Sequence, residues 1–360
     1  MRQRCERAHP DRRTVSPPQD RGRAPSIRDV ARLAEVSHQT VSRVLNDHPS
    51  IRPETRERVL QAMETLQYRP NRAARTLVTS RSNTIGVLAA LSTTYGPATS
   101  IAAIEDAARE QGYHVNTANL ADTSPAGIAD AIEHLMLQAI EGLVVIAPQV
   151  RVFEVLAASS IGVPFVSLQS TGRRDHLALS VDQVTGARRA TQHLIGLGHR
   201  EIVHLAGPQD WIEAEARMRG FLEAIDDAEL GLHPPILGDW TADFGYYAGS
   251  ELVRRRDFTA VFAANDEMAI GLMHAFRDAG LDVPGDVSVV GFDDIPVAKH
   301  VAPTLTTVYQ DFHEIGRRAV ALLLNQVHGT ERIEVEDIVP RLVVRGSTAP
   351  VAARPASAAR

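Results

Sequence analysis

The sequence predicts an N-terminal all-α helix-turn-helix segment followed by an α/β core of two doubly wound parallel-sheet lobes, and three observations carry that prediction. Three short helical patterns, the first two opened by capping serines, occupy residues 26–70. From Thr84 onward, dense runs of Val, Ile and Leu alternate with amphipathic stretches, as buried parallel strands covered by helices require. Charge is also divided along the chain. Residues 1–83 hold 17 basic and 9 acidic residues, a net +8, whereas 84–360 hold 21 and 35, a net −14. A basic segment on an acidic body points to a polyanionic partner for the first part alone, with a merely solvated basic surface as the competing reading.

The 360 residues allow two or three folding units, and 44% hydrophobic with 23% charged residues excludes a wholly disordered or fibrous chain. No apolar run approaches the roughly 20 residues of a membrane helix. The basic N-terminus has no hydrophobic stretch behind it, so a cytoplasmic protein without a membrane partner is expected. The single cysteine, Cys5, excludes a disulfide framework and a Cys-based zinc site.

Taken in order, residues 1–25 are rich in Arg, Pro, Gln and Asp and read as a disordered basic arm. Ser26 with Asp29 three residues on makes a capping-box-like start, followed by the apolar stripe Ile27, Val30, Leu33 and Ala34. After the turn Glu35-Val36-Ser37, Ser37 caps a second helix, His38–Leu45. That helix turns Val41, Val44 and Leu45 inward, with His38, Gln39, Ser42 and Arg43 on the opposite face. Two short capped helices joined by a tight turn form a helix-turn-helix. Gln39 suits adenine, Arg43 suits guanine, and Ser37 and Ser42 suit phosphate. A third helix starts at Pro53 and uses Thr55, Val59, Leu60, Met63 and Leu66 to close a small core; a bundle used for protein contacts is the alternative.

In the body, strands are expected at 85–90, 113–118, 142–147, 164–168, 201–206, 259–264 and 287–291. Helices are expected at 101–111, 128–138, 183–197, 214–225, 244–255 and 267–279. Such alternation over about 265 residues favours two lobes with a ligand cleft at the carboxyl ends of the strands. The tail 349–360 reads as flexible, with no leucine heptad for a further bundle.

SIRDVARLAEVSHQTVSRVLN and PETRERVLQAMETLQYRPNRAARTL resemble the headpiece of the lactose-repressor (LacI/GalR) family of transcription regulators. LAGP (205–208), GDW (238–240), AANDEMAIG (263–271), VSVVGFDD (287–294) and PTLTTVYQDF (303–312) resemble its periplasmic-binding-protein-like effector domain over 84–348. The resemblance implies a hinge helix at 71–77, with Asn71 as cap and Leu77 as a wedge in the minor groove. Six or seven residues are too few to hold such a helix alone in water, and wedging Leu between base steps costs unstacking but allows a bend with more contacts. It assigns DNA contacts to Ser26, Ser37, His38, Gln39, Thr40, Ser42, Arg43, Asn46, Arg52, Tyr68, Asn71, Arg72, Ala74 and Leu77. Arg52 stands where the family usually places a capping Ser.

For the effector, Trp240 offers a flat face to a pyranose, while Arg217, Asn265 and Asp293 offer forked donors and acceptors. Taken singly, Trp240 also reads as core and Asp293 or Asp294 as a turn cap. The resemblance places Ala90, Gln169, Arg217, Trp240, Asn265, Asp293, Gln310 and Phe312 on ligand-contacting positions. It also marks departures: Ala90 for a pocket Ser, Gln169 for a pocket Asp, Asp122 for a pocket Arg and Glu213 for a pocket Ser. GDWTADFGYYAG and STTYGPATS are similar to actinobacterial regulators of galactoside use, implying a galactoside or related oligosaccharide.

No GxGxxG after a strand, GxxxxGK[ST], GxSxG or HExxH is present, so no enzymatic activity is expected. The 14 His residues, including His193, His199 and His204, read as scattered surface or turn residues rather than a metal set. The expectation is therefore a homodimeric repressor on double-stranded, pseudo-palindromic operator DNA, released by a small-molecule carbohydrate and needing no cofactor. A corepressed regulator and a sugar-binding protein without a regulatory role stay as alternatives.

Overall fold

A computed structural model describes residues 25–45, 48–69, 81–90, 93–120, 122–147, 149–158, 161–168, 177–330 and 336–351. They fall into two compact units divided between Arg81 and Ser82.

The first unit contains α1 (Ile27–Leu33), α2 (His38–Leu45) and α3 (Pro53–Thr65). Asp29 accepts hydrogen bonds from the Ser26 N–H at 2.9 Å and the Ser26 hydroxyl at 2.6 Å, fixing the first turn of α1. Glu35, at φ 52, carries the chain through the turn, and Ser37 Oγ accepts from the Thr40 N–H at 3.1 Å to start α2. Arg52 precedes α3 without a capping bond from its side chain. Val30, Ala31, Ala34, Val41, Val44, Val59 and Ala62 form the buried core. Two residues expected inside are instead exposed, Leu33 at 49% and Leu60 at 51%. Leu33 follows Ala31 by two residues and Leu60 precedes Ala62 by two, about 200° around their helices, so the small alanines take the inward positions.

In the second unit, β1 (Thr84–Ala90), β2 (His114–Leu120), β3 (Gly142–Ile146), β4 (Phe165–Ser167) and β5 (Leu177–Ala178) make a parallel sheet in the order β2-β1-β3-β4-β5. A second parallel sheet runs β7-β6-β8-β9, from β6 (Ile202–Ala206), β7 (Ile236–Leu237), β8 (Ala260–Ala263) and β9 (Ser288–Val290). Both orders reverse beside their first strand, the doubly wound arrangement expected. β1, β3, β6 and β8 are almost wholly buried; β2 departs from that expectation because it is a sheet edge and alternates toward solvent.

The covering helices are α4 (Tyr95–Glu110), α5 (Pro125–Leu137), α6 (Val150–Ala158), α7 (Gln183–Gly196), α8 (Ile212–Asp227), α9 (Ala242–Arg255), α10 (Asp266–Asp278) and α11 (Phe312–His328). Neither α6 nor α11 was expected from sequence, and α4 begins six residues earlier than expected. Also unexpected is a short antiparallel ribbon of β10 (Thr307–Tyr309) and β11 (Arg341–Val343). α11 packs against α4, β3 and β4, so this late segment completes the first lobe; Leu322, Leu323 and Leu324 share a core with Ile85, Val87 and Val144. The chain thus passes between lobes three times, near 181–183, 309–312 and 338–341, and Val181 pairs with Ile338 where two passages run side by side.

Two further expectations are corrected. His204 is not a surface residue: it is fully buried, with Phe221 and Phe262 stacked on it at 4.8 and 4.7 Å between ring centroids. His199 is buried as well, bonded to Thr259 Oγ1 and to the Ala349 carbonyl. Of the tail expected to be flexible, residues 349–351 are held, because the Ala349 N–H donates to Ser288 Oγ and the Val351 N–H to the Leu197 carbonyl, while 352–360 lie outside the described residues.

Candidate functional site

The first unit presents one polar helix face. On α2, His38, Gln39 and Arg43 are exposed and Ser42 is half-buried beside them, while Val41 and Val44 anchor the opposite side. Eight helical residues span about 12 Å, comparable to the width of the B-DNA major groove. Ser37 and Thr40 cap this helix: their hydroxyls lie 2.9 Å apart and the Ser37 oxygen holds the Thr40 N–H. Ser26 has its hydroxyl on Asp29, and Arg52 stands exposed before α3. Tyr68 is half-buried against the small core, and burial pushes its phenol above the ordinary value. Asn46, Asn71, Arg72, Ala74 and Leu77 lie outside the described residues.

In the second unit, a cavity lies at the carboxyl ends of both parallel sheets. Tyr95 follows β1, Trp211 follows β6, Trp240 follows β7, Asn265 follows β8, Asp293 follows β9 and Phe312 opens α11; all line the cavity with Arg217, Gln183, Gln310, Glu213 and Glu267. Doubly wound sheets bind ligands at this place.

The aromatic wall is held tightly. Trp240 sits at φ 75, a left-handed conformation unfavourable to a bulky residue. Its carbonyl accepts from Asn265 Nδ2 at 2.9 Å. A Cβ on Gly207 would lie 2.1 Å from the indole, so only glycine allows the ring to lie there. Trp211 meets Trp240 edge to face at 5.2 Å, and Tyr95 meets Phe312 in the same way at 5.8 Å. The buried Trp240 indole nitrogen finds no acceptor among the described residues. Such a donor is costly unless a ligand or water accepts from it.

Beside this wall runs a closed polar ring. Arg217 Nε donates to Gln183 Oε1 at 2.8 Å, Gln183 Nε2 to Gln310 Oε1 at 2.7 Å, and Gln310 Nε2 to Asp293 Oδ1 at 2.6 Å. Arg217 Nη2 closes the ring at 3.5 Å from the same Asp293 oxygen. The guanidinium also donates to the Ala264 carbonyl and lies 4.0 Å from the centre of the Phe292 ring. Burial pushes the Asp293 carboxyl up to about 6 against the opposing pull of Arg217, and burial lowers Arg217 from its ordinary value. Behind the ring, Asp266 is buried and bonded to the Thr307 hydroxyl and the Ile295 N–H; burial and Asp293 raise its carboxyl well above the usual range.

Six expected ligand residues, Arg217, Trp240, Asn265, Asp293, Gln310 and Phe312, therefore line one cavity. Ala90 does not: its methyl group is buried in the apolar layer with Ala118, Ile128 and Leu143. Gln169 lies outside the described residues. Of the departures, Glu213 lines the cavity, whereas Asp122 accepts from the Ser124 N–H before α5. Sequence reasoning missed Gln183, Trp211 and Tyr95; their places just beyond strand ends were the available signal. Among the described residues no group of three metal-ligating side chains gathers, and no helix is long and apolar enough to cross a membrane.

Residues 26–71 match the model for bacterial regulatory proteins of the lacI family, and 191–348 match that of a periplasmic binding protein-like domain. The HTH-type transcriptional repressor PurR of Haemophilus influenzae is 31% identical, over 89% of this chain and 98% of that protein. The HTH-type transcriptional regulator CelR of Thermobifida fusca is 34% identical, over 86% of this chain and 94% of that protein. Among solved structures, the lac repressor dimer bound to operator and the anti-inducer ONPF superposes with a TM-score of 0.84 at 32% identity, covering 91% of this chain and 100% of that one. A CelR–cellobiose complex superposes with a TM-score of 0.67 at 32% identity, covering 90% and 99%.

Proposed function

The chain belongs to the lacI family of bacterial regulatory proteins, and from that premise we propose that it is a homodimeric repressor released from double-stranded operator DNA by a carbohydrate. The α2 face supports the DNA half of this reading: His38, Gln39, Ser42 and Arg43 would face base edges in each half of a pseudo-palindromic site. The observation that carries the effector half is the cavity itself. A Trp240 wall with an unsatisfied indole N–H stands beside the Arg217–Asp293 fork. Aromatic faces suit the C–H side of a pyranose, and paired donors and acceptors suit its hydroxyls.

A sugar bridging the lobes releases DNA only if it binds the released state more tightly than the DNA-bound one. Within carbohydrates we favour a β-galactoside or a related oligosaccharide; the cellobiose held by the CelR structure supports the wider class. The relatives named above are regulators rather than enzymes, and this reading needs no catalysis, metal or cofactor. It places the protein in the cytoplasm, on the nucleoid.

Fluorescence anisotropy tests the reading, with the full chain on labelled DNA from upstream of its own gene, at fixed salt, titrated with lactose, galactose, cellobiose and a purine. Release by a sugar is expected. Tight binding only after a ligand is added would reverse the sign of the coupling, and failure to bind any such DNA would overturn the operator assignment for that region.

A further inference from the structure

We propose that Gln183 is a positioning residue that keeps Arg217 and Asp293 apart, so that both stay available to a ligand's hydroxyls instead of closing on each other. The proposal rests on the carbohydrate reading above for what the fork binds, and on geometry for how the fork is held. A relaxed charge-assisted N–H···O bond is about 2.7–2.9 Å long. The direct Arg217–Asp293 approach is 3.5 Å, although both groups are buried where their attraction is strongest.

The two glutamines supply the restraint. Arginine can only donate and an ionised carboxylate can only accept, so the two ends fix the sense of the relay. Gln183 must turn its oxygen to Arg217 and its nitrogen to Gln310, which in turn directs its nitrogen to Asp293. Neither amide can flip without setting two donors or two acceptors against each other. Gln183 is itself fixed as the first residue of α7, where Asp182 holds the Thr185 N–H at 2.9 Å and its hydroxyl at 2.5 Å. Gln183 and Gln310 also belong to two different passages between the lobes, so the relay reports their relative position to the fork.

Removing the amide has two distinguishable consequences. With alanine at 183, Arg217 Nε loses its acceptor and the guanidinium is free to close on Asp293, which stabilises the carboxylate. With glutamate, a new negative charge takes Arg217, and Gln310 loses its donor. The groups already facing Asp293 are Arg217 and Glu213 from α8, Asp266 and Glu267 from α10, and Tyr95 from α4. All but Arg217 stay in place in both variants.

The full-length wild type, Gln183→Ala and Gln183→Glu are compared in two measurements. The Asp293 carboxyl is titrated by ¹³C NMR without ligand, and lactose and cellobiose binding is followed by calorimetry between about pH 5 and 8. Expected are an Asp293 midpoint below wild type in Gln183→Ala and above it in Gln183→Glu, and affinity lower by about tenfold in both variants. Opposite displacements are a signature that lost packing alone does not produce. An unmoved midpoint in both variants, or undiminished affinity in Gln183→Ala, overturns the proposal. If neither sugar binds the wild type, the carbohydrate reading falls, and the ligand-free titration still decides whether Gln183 holds the fork.

Discussion

Asn265 donates its side-chain amide to the Trp240 carbonyl at 2.9 Å, while its side-chain oxygen accepts the Met268 N–H at 3.0 Å and caps α10. One short side chain thereby joins helix initiation to the placement of the cavity's aromatic wall. Left-handed backbone at a bulky residue costs about 1–3 kcal/mol and persists only where its surroundings impose it. Asn265→Ala removes both bonds, with an expected loss of about 1–2 kcal/mol from the cap alone and of the response to sugar. Asn265→Asp keeps the cap but cannot donate to Trp240, so it should regain stability without regaining the response. Denaturant unfolding and operator-release assays on the same preparations check this.

Arg43 is exposed on the outer face of α2, clear of the core formed by Val41 and Val44. Arg43→Ala should weaken operator binding by roughly 1–3 kcal/mol and flatten discrimination among base substitutions at one operator position. Anisotropy on a set of singly substituted operators measures both; unchanged selectivity would remove Arg43 from base readout.

Asp293 titrates near 6 because burial outweighs Arg217. Its folded value lies above its ordinary one, so acidification through this range adds a proton to the folded state and does not, through this group, destabilise the protein. The carboxylate is nevertheless lost as an acceptor for hydroxyls. Sugar affinity should therefore fall as pH drops below about 6, with no matching drop in stability from this residue. Calorimetric titrations across that range, paired with thermal melts, separate the two.

His204 behaves in the opposite way. Burial holds its ring neutral down to about 4, while its Nδ1 pairs with the Phe262 carbonyl at 2.9 Å. Its folded value lies below the ordinary one, so the unfolded chain takes the proton first, and stability drains as pH falls from about 6.5 toward 4 by up to about 3 kcal/mol. His204→Leu should be less stable than wild type at neutral pH, because it orphans that carbonyl, and should close most of the gap near pH 4. Urea midpoints at both ends of the range test the crossing trend.

Much of the cavity was legible because its side chains carry the right chemistry and fall in segments that resemble the family's effector domain, and because strand ends, read from apolar runs, locate the cleft. Asn265 and Asp293 each come within three residues of such a strand, whereas Trp240 follows β7, two residues long and not expected from sequence, and was found by its flat aromatic face and the family resemblance. Gln183 and Trp211 stand five residues past β5 and β6, and their roles depend on partners contributed by other segments, which no local pattern displays. Ala90 failed for the converse reason: its position is right, but its methyl group turns into the apolar layer. β10 and β11 are three residues each, too short for an alternation to register, and His204 looks polar in sequence because nothing local reveals the two phenylalanines that enclose it.

The three passages between lobes also set an order of assembly during synthesis. All five strands of the first sheet have been made once Ala178 is in place, yet α11, which covers β3 and β4, ends about 150 residues later at His328. At roughly 5–20 residues per second, β3 and β4 wait about eight to thirty seconds for that cover. The polypeptide is therefore born with its first lobe unsealed, and a ribosome stalled inside the second lobe would release an aggregation-prone sheet instead of a finished half.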